Sequence, residues 1–501
     1  MASQHKASWQ FLPAARRWLL LGLICFATIV WQNGFWASAQ AVWKVGTDPT
    51  FPPFELRNAS TGKISGFDVE LIEAIGKESG HSIDWIPLPF DGLVPALQSS
   101  TIDMAISAIT ITPERAKAID FSRPYFKASQ AIVVRDANKS IASVSDLKNR
   151  KIAVQIGTTG ADEARAIPGA SVISFDSTPT ALQELANGNA DAVLSDKPAI
   201  LYAINEANLT GLRVTGEHQG TDVYGIALPT GSPNTRIVNQ GLEKLIKTGR
   251  YAEIYRTWFG ADPPSLPELA PSLSRSVSTT SRLDYKNVFR NLLKGAGVTL
   301  MLTFLSFCFG LQGGVLLALL LRSGWKVASV TARLYIDFFR GTPMLVQLFL
   351  VYFGIPAIFS SLEVPFTLNR MVAAVAALSL NVAAYLAETL RSGIDSIDRG
   401  QWEAADALGF NPRGRMWFVI APQALRRVMP PLSNEFVTLI KDTSLAAVIG
   451  FDELFRQGQL IVATTYRAFE IYIAVAIVYL VMTSVAAYAF RWLERRLRVP
   501  M

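Results

Sequence analysis

From Ala41 to about Ala261, short apolar runs alternate with amphipathic ones, and none approaches the roughly 20 apolar residues needed to cross a bilayer. Strands are predicted at Trp43–Gly46, Met104–Ala108, Lys151–Gln155 and Ala192–Leu194. Helices are predicted at Asp68–Ser79, Thr112–Ala118 and Thr180–Asn187, with Gly80 and Gly188 where a helix should stop. This alternation favours parallel βαβ units, hence an α/β domain.

Beyond Leu283 the pattern changes. Gly295–Leu321, Gly341–Leu362 and Ile471–Phe490 are uncharged and long enough to span. Met371–Ala387 is marginal and runs into Glu388, while Pro430–Phe451 carries Glu435, Lys441 and Asp442, so hydropathy leaves it undecided. At the other end, Arg16 and Arg17 precede the apolar run Trp18–Trp31 and the small residues Ala37-Ser38-Ala39, a signal-peptide layout with a cut before Gln40; an uncleaved anchor has the same outline. The expected plan is a signal segment over 1–39, an exported domain over 41–261, a proline- and serine-rich linker over 262–284 and a membrane domain over 285–501.

Composition agrees: of 501 residues 50% are hydrophobic and only 17% charged, so part of the chain belongs in lipid. The two cysteines, Cys25 and Cys308, sit in apolar runs, which argues against a disulfide framework or a zinc site. The net charge of +7 is spread over short clusters beside apolar segments, which argues against a nucleic-acid partner. If the first domain is exported, the basic groups Arg322, Lys326 and Arg333, then Arg391, Arg399, Arg413 and Arg415, then Arg491, Arg495, Arg496 and Arg498 all fall on the cytoplasmic side.

The most specific motif follows the third span. Glu403-Ala404-Ala405, with Gly409 six residues after the glutamate and then Ile420 and Pro422, resembles the EAA loop of ABC importer permeases. A short surface helix ending at Gly409 would seat in a groove of a separate ATPase, with Glu403 as a charged anchor and the two alanines allowing close approach. Arg340-Gly341-Thr342-Pro343 with Gln347, Asn381 with Tyr385, Ala387 and Glu388, and Lys441-Asp442-Thr443-Ser444-Leu445 extend the resemblance to polar amino-acid permeases of the histidine and glutamine type. It implies five transmembrane helices, a homodimer around a two-fold axis and two ATPase partners. No GxxxxGK[ST] loop occurs, so ATP–Mg is expected on the partner ATPase and no cofactor on this chain. Asn381 and Glu388 lie two turns apart on one helix face and could line a path; alternatively Glu388 simply reaches water at the inner interface.

The first domain resembles periplasmic amino-acid-binding proteins of the glutamine and lysine/arginine/histidine type. The likeness rests on Asp48 with Phe51-Pro52-Pro53-Phe54-Glu55, Gly66-Phe67-Asp68-Val69, Thr110-Ile111-Thr112 with Glu114-Arg115, Gly157-Thr158-Thr159, and Tyr255, Trp258, Phe259 and Gly260. The implied fold is an α/β two-lobed periplasmic-binding-protein domain, followed by an all-α five-helix transmembrane permease domain. Crossing strands between lobes are expected near Ser129–Val134 and Tyr224–Leu228.

A zwitterion in a closing cleft needs partners for both charges. Thr112 can cap a helix with Pro113 at its first position, placing the Arg115 fork for a carboxylate. Thr159 opens another helix whose N–H groups suit the same anion. Asp196 would take the ammonium, or only cap the helix that follows. The resemblance adds Ala108 and Thr110 to the site, and Phe51 and Phe90 as faces around the ligand side chain; both aromatics could equally be core. Asp48 matches the position facing the far end of the ligand. Glutamine-type relatives often carry a lysine at the position of Gln155, and its absence here points to a basic amino acid. A ligand-gated channel is disfavoured because the binding domain ends before any membrane helix begins, and an enzyme because His5, His81 and His218 fall outside the ligand positions.

Overall fold

The computed structural model describes residues 41–497 apart from 59, 206–210, 219–221, 271–283, 363, 365 and 367; the predicted signal segment and most of the linker lie outside the described residues. The first lobe is built on a five-stranded sheet ordered His81–Pro87, Ala41–Thr47, Met104–Ala105, Ala227–Leu228, Asp120–Phe121. Ala41–Thr47 runs parallel to its neighbours, and Trp43 and Val45 alternate inward onto a core with Phe54, Phe67, Ile72 and Tyr224. The second lobe repeats the scheme with Ser171–Phe175, Lys151–Gln155, Ala192–Asp196, Gln130–Arg135 and Leu212–His218.

The expected elements are present with shifted ends. Helix Phe67–Ser79 closes on Gly80 in the left-handed region, helix Thr178–Ala186 begins behind the Ser177 cap, and strand Met104–Ala105 is shorter than predicted. The lobes are joined by the antiparallel pair Phe126–Lys127 and Val223–Tyr224. The first crossing thus precedes the expected Ser129–Val134, because Gln130–Arg135 is fully recruited into the second sheet between two antiparallel partners.

In the helical half, Tyr285–Leu321, Arg370–Asp395 and Ala468–Arg496 are long and apolar enough to cross a membrane. A fourth candidate is bent by 111° between Lys326–Gly341 and Met344–Phe359. Helix Ala421–Asp442, with Pro430 and Pro431 inside it and Lys441 and Asp442 at its end, does not pass on hydropathy, as its charges foretold. Tyr285–Leu321 and Arg370–Asp395 lie against each other through small residues. A Cβ on Gly310 would fall 2.9 Å from Val382 and one on Gly314 2.8 Å from Leu386.

One helix not foreseen from the sequence, Leu454–Thr465, sits between the two halves. Its start is set by the buried Glu453, which accepts from the N–H groups of Phe455 and Arg456 and from the Tyr479 hydroxyl. The second lobe also meets the helical half at Glu184, which accepts a hydrogen bond from the buried Tyr352.

Candidate functional site

The residues expected at the ligand converge at the interface of the two lobes, and the cleft is shut. Among the described residues, three polar contacts between site residues cross it. Gln155 Nε2 donates to Asp48 Oδ2 at 3.0 Å, Arg115 Nη2 donates to the Gly157 carbonyl at 2.8 Å, and the Thr110 and Thr159 hydroxyls stand 3.5 Å apart.

Arg115 arrives there through local sequence. Thr112 Oγ1 caps helix Pro113–Ala116 by accepting from the Arg115 N–H at 3.2 Å, Pro113 opens it, and the guanidinium is buried over the Phe90 ring at 5.4 Å. Its Nη1 donates to the Thr110 carbonyl at 2.7 Å. On the facing lobe, Gly157 adopts φ +77, which turns strand Lys151–Gln155 into helix Thr159–Ala166 capped by Thr158. Guanidinium and helix N-terminus therefore point at one place, an arrangement suited to a carboxylate.

Asp196, at the end of its strand, is buried and accepts from Gln130 Nε2, which also donates to Thr159 at 3.2 Å. Burial pushes its carboxyl up to about 7. Asp48 is buried as well, and burial raises its carboxyl to about 6 against the pull of donors from Thr50, the Phe90 N–H and Gln155. Among the described residues its hydrogen-bond partners are neutral: Thr50 Oγ1 at 2.7 Å, the Phe90 N–H at 3.2 Å and Gln155 at 3.0 Å. Thr178 donates to Gln155 Oε1 at 2.9 Å, which turns the amide so that its NH₂ faces Asp48.

Phe90 lies at the cleft, but Phe51 is 93% buried in the first-lobe core, stacked on Phe54 at 6.1 Å. Ala108 holds φ +46 because the buried Asp68 accepts its N–H at 2.8 Å.

In the helical half, Asn381 donates to Gln347 Oε1 at 2.8 Å, and Gln347 donates to the carbonyls of Phe339 and Thr342. Asn381 therefore ties its helix to the bend of the neighbouring pair. Glu388 pairs with Arg391, which also donates to Asp395 at 2.8 Å, beside a cavity of about 510 Å³ lined by Arg322, Arg333 and Arg340. The Glu403-Ala404-Ala405 segment lies on helix Arg399–Ala407, and Gly409 at φ +80 ends the turn. Glu403 and Ala404 are exposed, whereas Ala405 packs inward.

Residues 43–261 match the bacterial extracellular solute-binding proteins, family 3, and residues 310–499 match the binding-protein-dependent transport system inner membrane component. The chain is 43% identical over 209 residues to the glutamine transport system permease protein GlnP of Escherichia coli, covering 42% of this chain and 93% of that protein. It is 35% identical over 221 residues to the L-cystine-binding protein TcyJ of Escherichia coli, covering 44% of this chain and 82% of that protein. An ancestral arginine-binding protein solved with arginine is 43% identical, spans 44% of this chain and 99% of its own, and superposes with a TM-score of 0.42. The chain belongs to both families. It is an amino-acid ABC importer component with binding and permease domains on one polypeptide, a transporter component rather than an enzyme, set in the inner membrane.

Sequence reasoning assigned no role to several residues that the fold brings to the cleft or directly behind it. Gln130 carries no motif, yet it is buried and bonded to Asp196 and Thr159. Glu55 and Asp68 form a fully buried carboxyl pair behind the site; Ser107 donates to Glu55 at 2.7 Å and Tyr125 to Asp68 at 2.7 Å. Burial and mutual repulsion hold the Glu55 carboxyl well above its ordinary range.

Proposed function

We propose that this chain is the binding and permease subunit of an ATP-driven importer for polar amino acids, with basic side chains preferred. The observation that carries the preference is the Asp48 carboxylate, buried and, among the described residues, bonded to neutral donors. An ionised carboxylate in that setting is stabilised by a ligand cation. Arg115 and the helix N-terminus at Thr159 would take the ligand carboxylate, and Asp196 its ammonium. The sandwiching face is Phe90, with Phe51 contributing through the core beneath.

Glutamine is the second reading, favoured by the name of the permease relative; there Asp48 would accept from the ligand amide. Energy would come from a separate ATPase carrying ATP–Mg. The exposed Glu403 and Ala404 and the exposed Leu408, Phe410, Trp417 and Phe418 beside them form a surface suited to it. A homodimer would complete the path, of which Asn381 and Glu388 line one half. The binding domain and linker would lie outside, the EAA helix and C-terminus in the cytoplasm.

Competition for labelled arginine uptake in cells expressing the chain with its ATPase tests this. Lysine and histidine should compete, glutamine less well, and alanine hardly at all. Uptake insensitive to lysine but blocked by glutamine would replace the first reading by the second.

A further inference from the structure

Helix Leu454–Thr465 touches both lobes of the binding domain, one at each end. At its start, Arg456 is wholly buried although it belongs to the permease half. Its Nη1 donates to Asp176 Oδ1 at 2.7 Å and its Nη2 to the Ser174 carbonyl, both at the end of second-lobe strand Ser171–Phe175. The preceding turn approaches the same strand so closely that a Cβ on Gly450 would lie 3.0 Å from the Phe175 ring.

At the other end, Tyr466 caps the helix in the left-handed region at φ +56. Its side chain packs against the first-lobe cluster that holds Leu93, Val94 and Ile109, and it lines a small cavity with Phe90, Arg115 and Gly157 at the cleft mouth. Left-handed backbone is unfavourable for a residue with a Cβ and is kept only where surroundings hold it.

We propose that this helix is a gauge of lobe closure, with Arg456 and Tyr466 as its two jaws. Ten residues of α-helix fix the jaws about 15 Å apart along the axis, and a helix cannot stretch to follow lobes that swing open. Both seats are available together only at one lobe separation, that of the shut cleft. The second-lobe seat is also wired to the ligand position: Gln155 Nε2 lies 3.3 Å from the Asp176 carbonyl and 3.0 Å from Asp48 across the cleft. Arg456 and Tyr466 are thus positioning residues, which favour docking of a closed binding domain over an open one.

The inference rests on the importer reading only for the ligand that normally closes the lobes, and a covalent lock replaces that ligand. Thr110→Cys with Thr159→Cys places two thiols where hydroxyls stand 3.5 Å apart across the cleft. The full chain in lipid nanodiscs, oxidised or reduced and without amino acid, is compared by hydrogen exchange. Amides of 454–465 should exchange at least about tenfold more slowly in the oxidised chain, since docking suppresses local opening. Adding Arg456→Ala, or Asp176→Asn on the half-buried partner, should return exchange to the reduced rate. Equal exchange in locked and reduced chains, or protection that survives both substitutions, would overturn the gauge. Amino-acid titration of the unlocked chain tests the importer reading separately.

Discussion

Gln155 reaches across the shut cleft and donates to Asp48 at 3.0 Å, so the residue that meets the far end of a ligand is partnered by a neutral amide. Placing a positive charge there should reverse the preference. Gln155→Lys would pair with Asp48 and leave nothing for a ligand cation, so arginine affinity should fall roughly 30-fold or more while glutamine affinity changes less than threefold. Titration of both ligands into wild type and variant measures it, and parallel losses would contradict the assignment.

Asp48 also sets a pH dependence. Its carboxyl is raised to about 6 in the unliganded cleft, and a bound cation favours the ionised form, so arginine binding releases a proton near and below that pH. Affinity is full above about 6 and lost as pH falls through it. Between pH 7.5 and 5 arginine should lose about tenfold more affinity than glutamine. Comparing the two ligands cancels the titrations of Asp196, Asp68 and Glu55, which both must meet.

Glu403 is exposed on helix Arg399–Ala407, far in sequence from the cleft. Glu403→Lys should lower uptake more than about tenfold by reversing a charge at a docking surface. Arginine binding to the purified chain should remain unchanged. Full-rate uptake by this variant would remove the ATPase seat from that helix.

The proposed topology rests on the basic loops. Cysteines placed at Arg413 and Pro267, in a background lacking Cys308, should react differently with an impermeant thiol reagent in intact cells: only the Pro267 site labels. Labelling at Arg413 would invert the proposed orientation.

Much of this arrangement was legible in the sequence, for identifiable reasons. The Thr112-Pro113 start of the Arg115 helix, the left-handed stops at Gly80 and Gly409, and the strands over 43–46 and 151–155 are local signals, decided within a few residues. Among the described residues three spans are long and apolar enough to be read by length, and a fourth only if the helix pair bent by 111° is counted as one. The misses are of another kind. Gln130 and Arg456 acquire their roles from contacts 66 and 280 residues away, which periodicity cannot register. The first crossing lies ahead of its expected place because Gln130–Arg135 reads as a strand whether it links the lobes or pairs within one. Phe51 and Phe90 read alike in the sequence as aromatics beside the cleft; in the structure Phe51 packs in the first-lobe core and Phe90 lies under Arg115.

The most direct test of the central claim is the affinity of wild type and Asp48→Asn for arginine and glutamine, measured by calorimetric titration of the purified chain. The substitution keeps the shape of the Asp48 site and removes its charge. Loss of one partner from a desolvated charge pair costs about 2 to 5 kcal/mol, so arginine affinity should fall roughly 30-fold or more and glutamine affinity far less. Equal arginine binding by both proteins would contradict recognition of a basic side chain by Asp48.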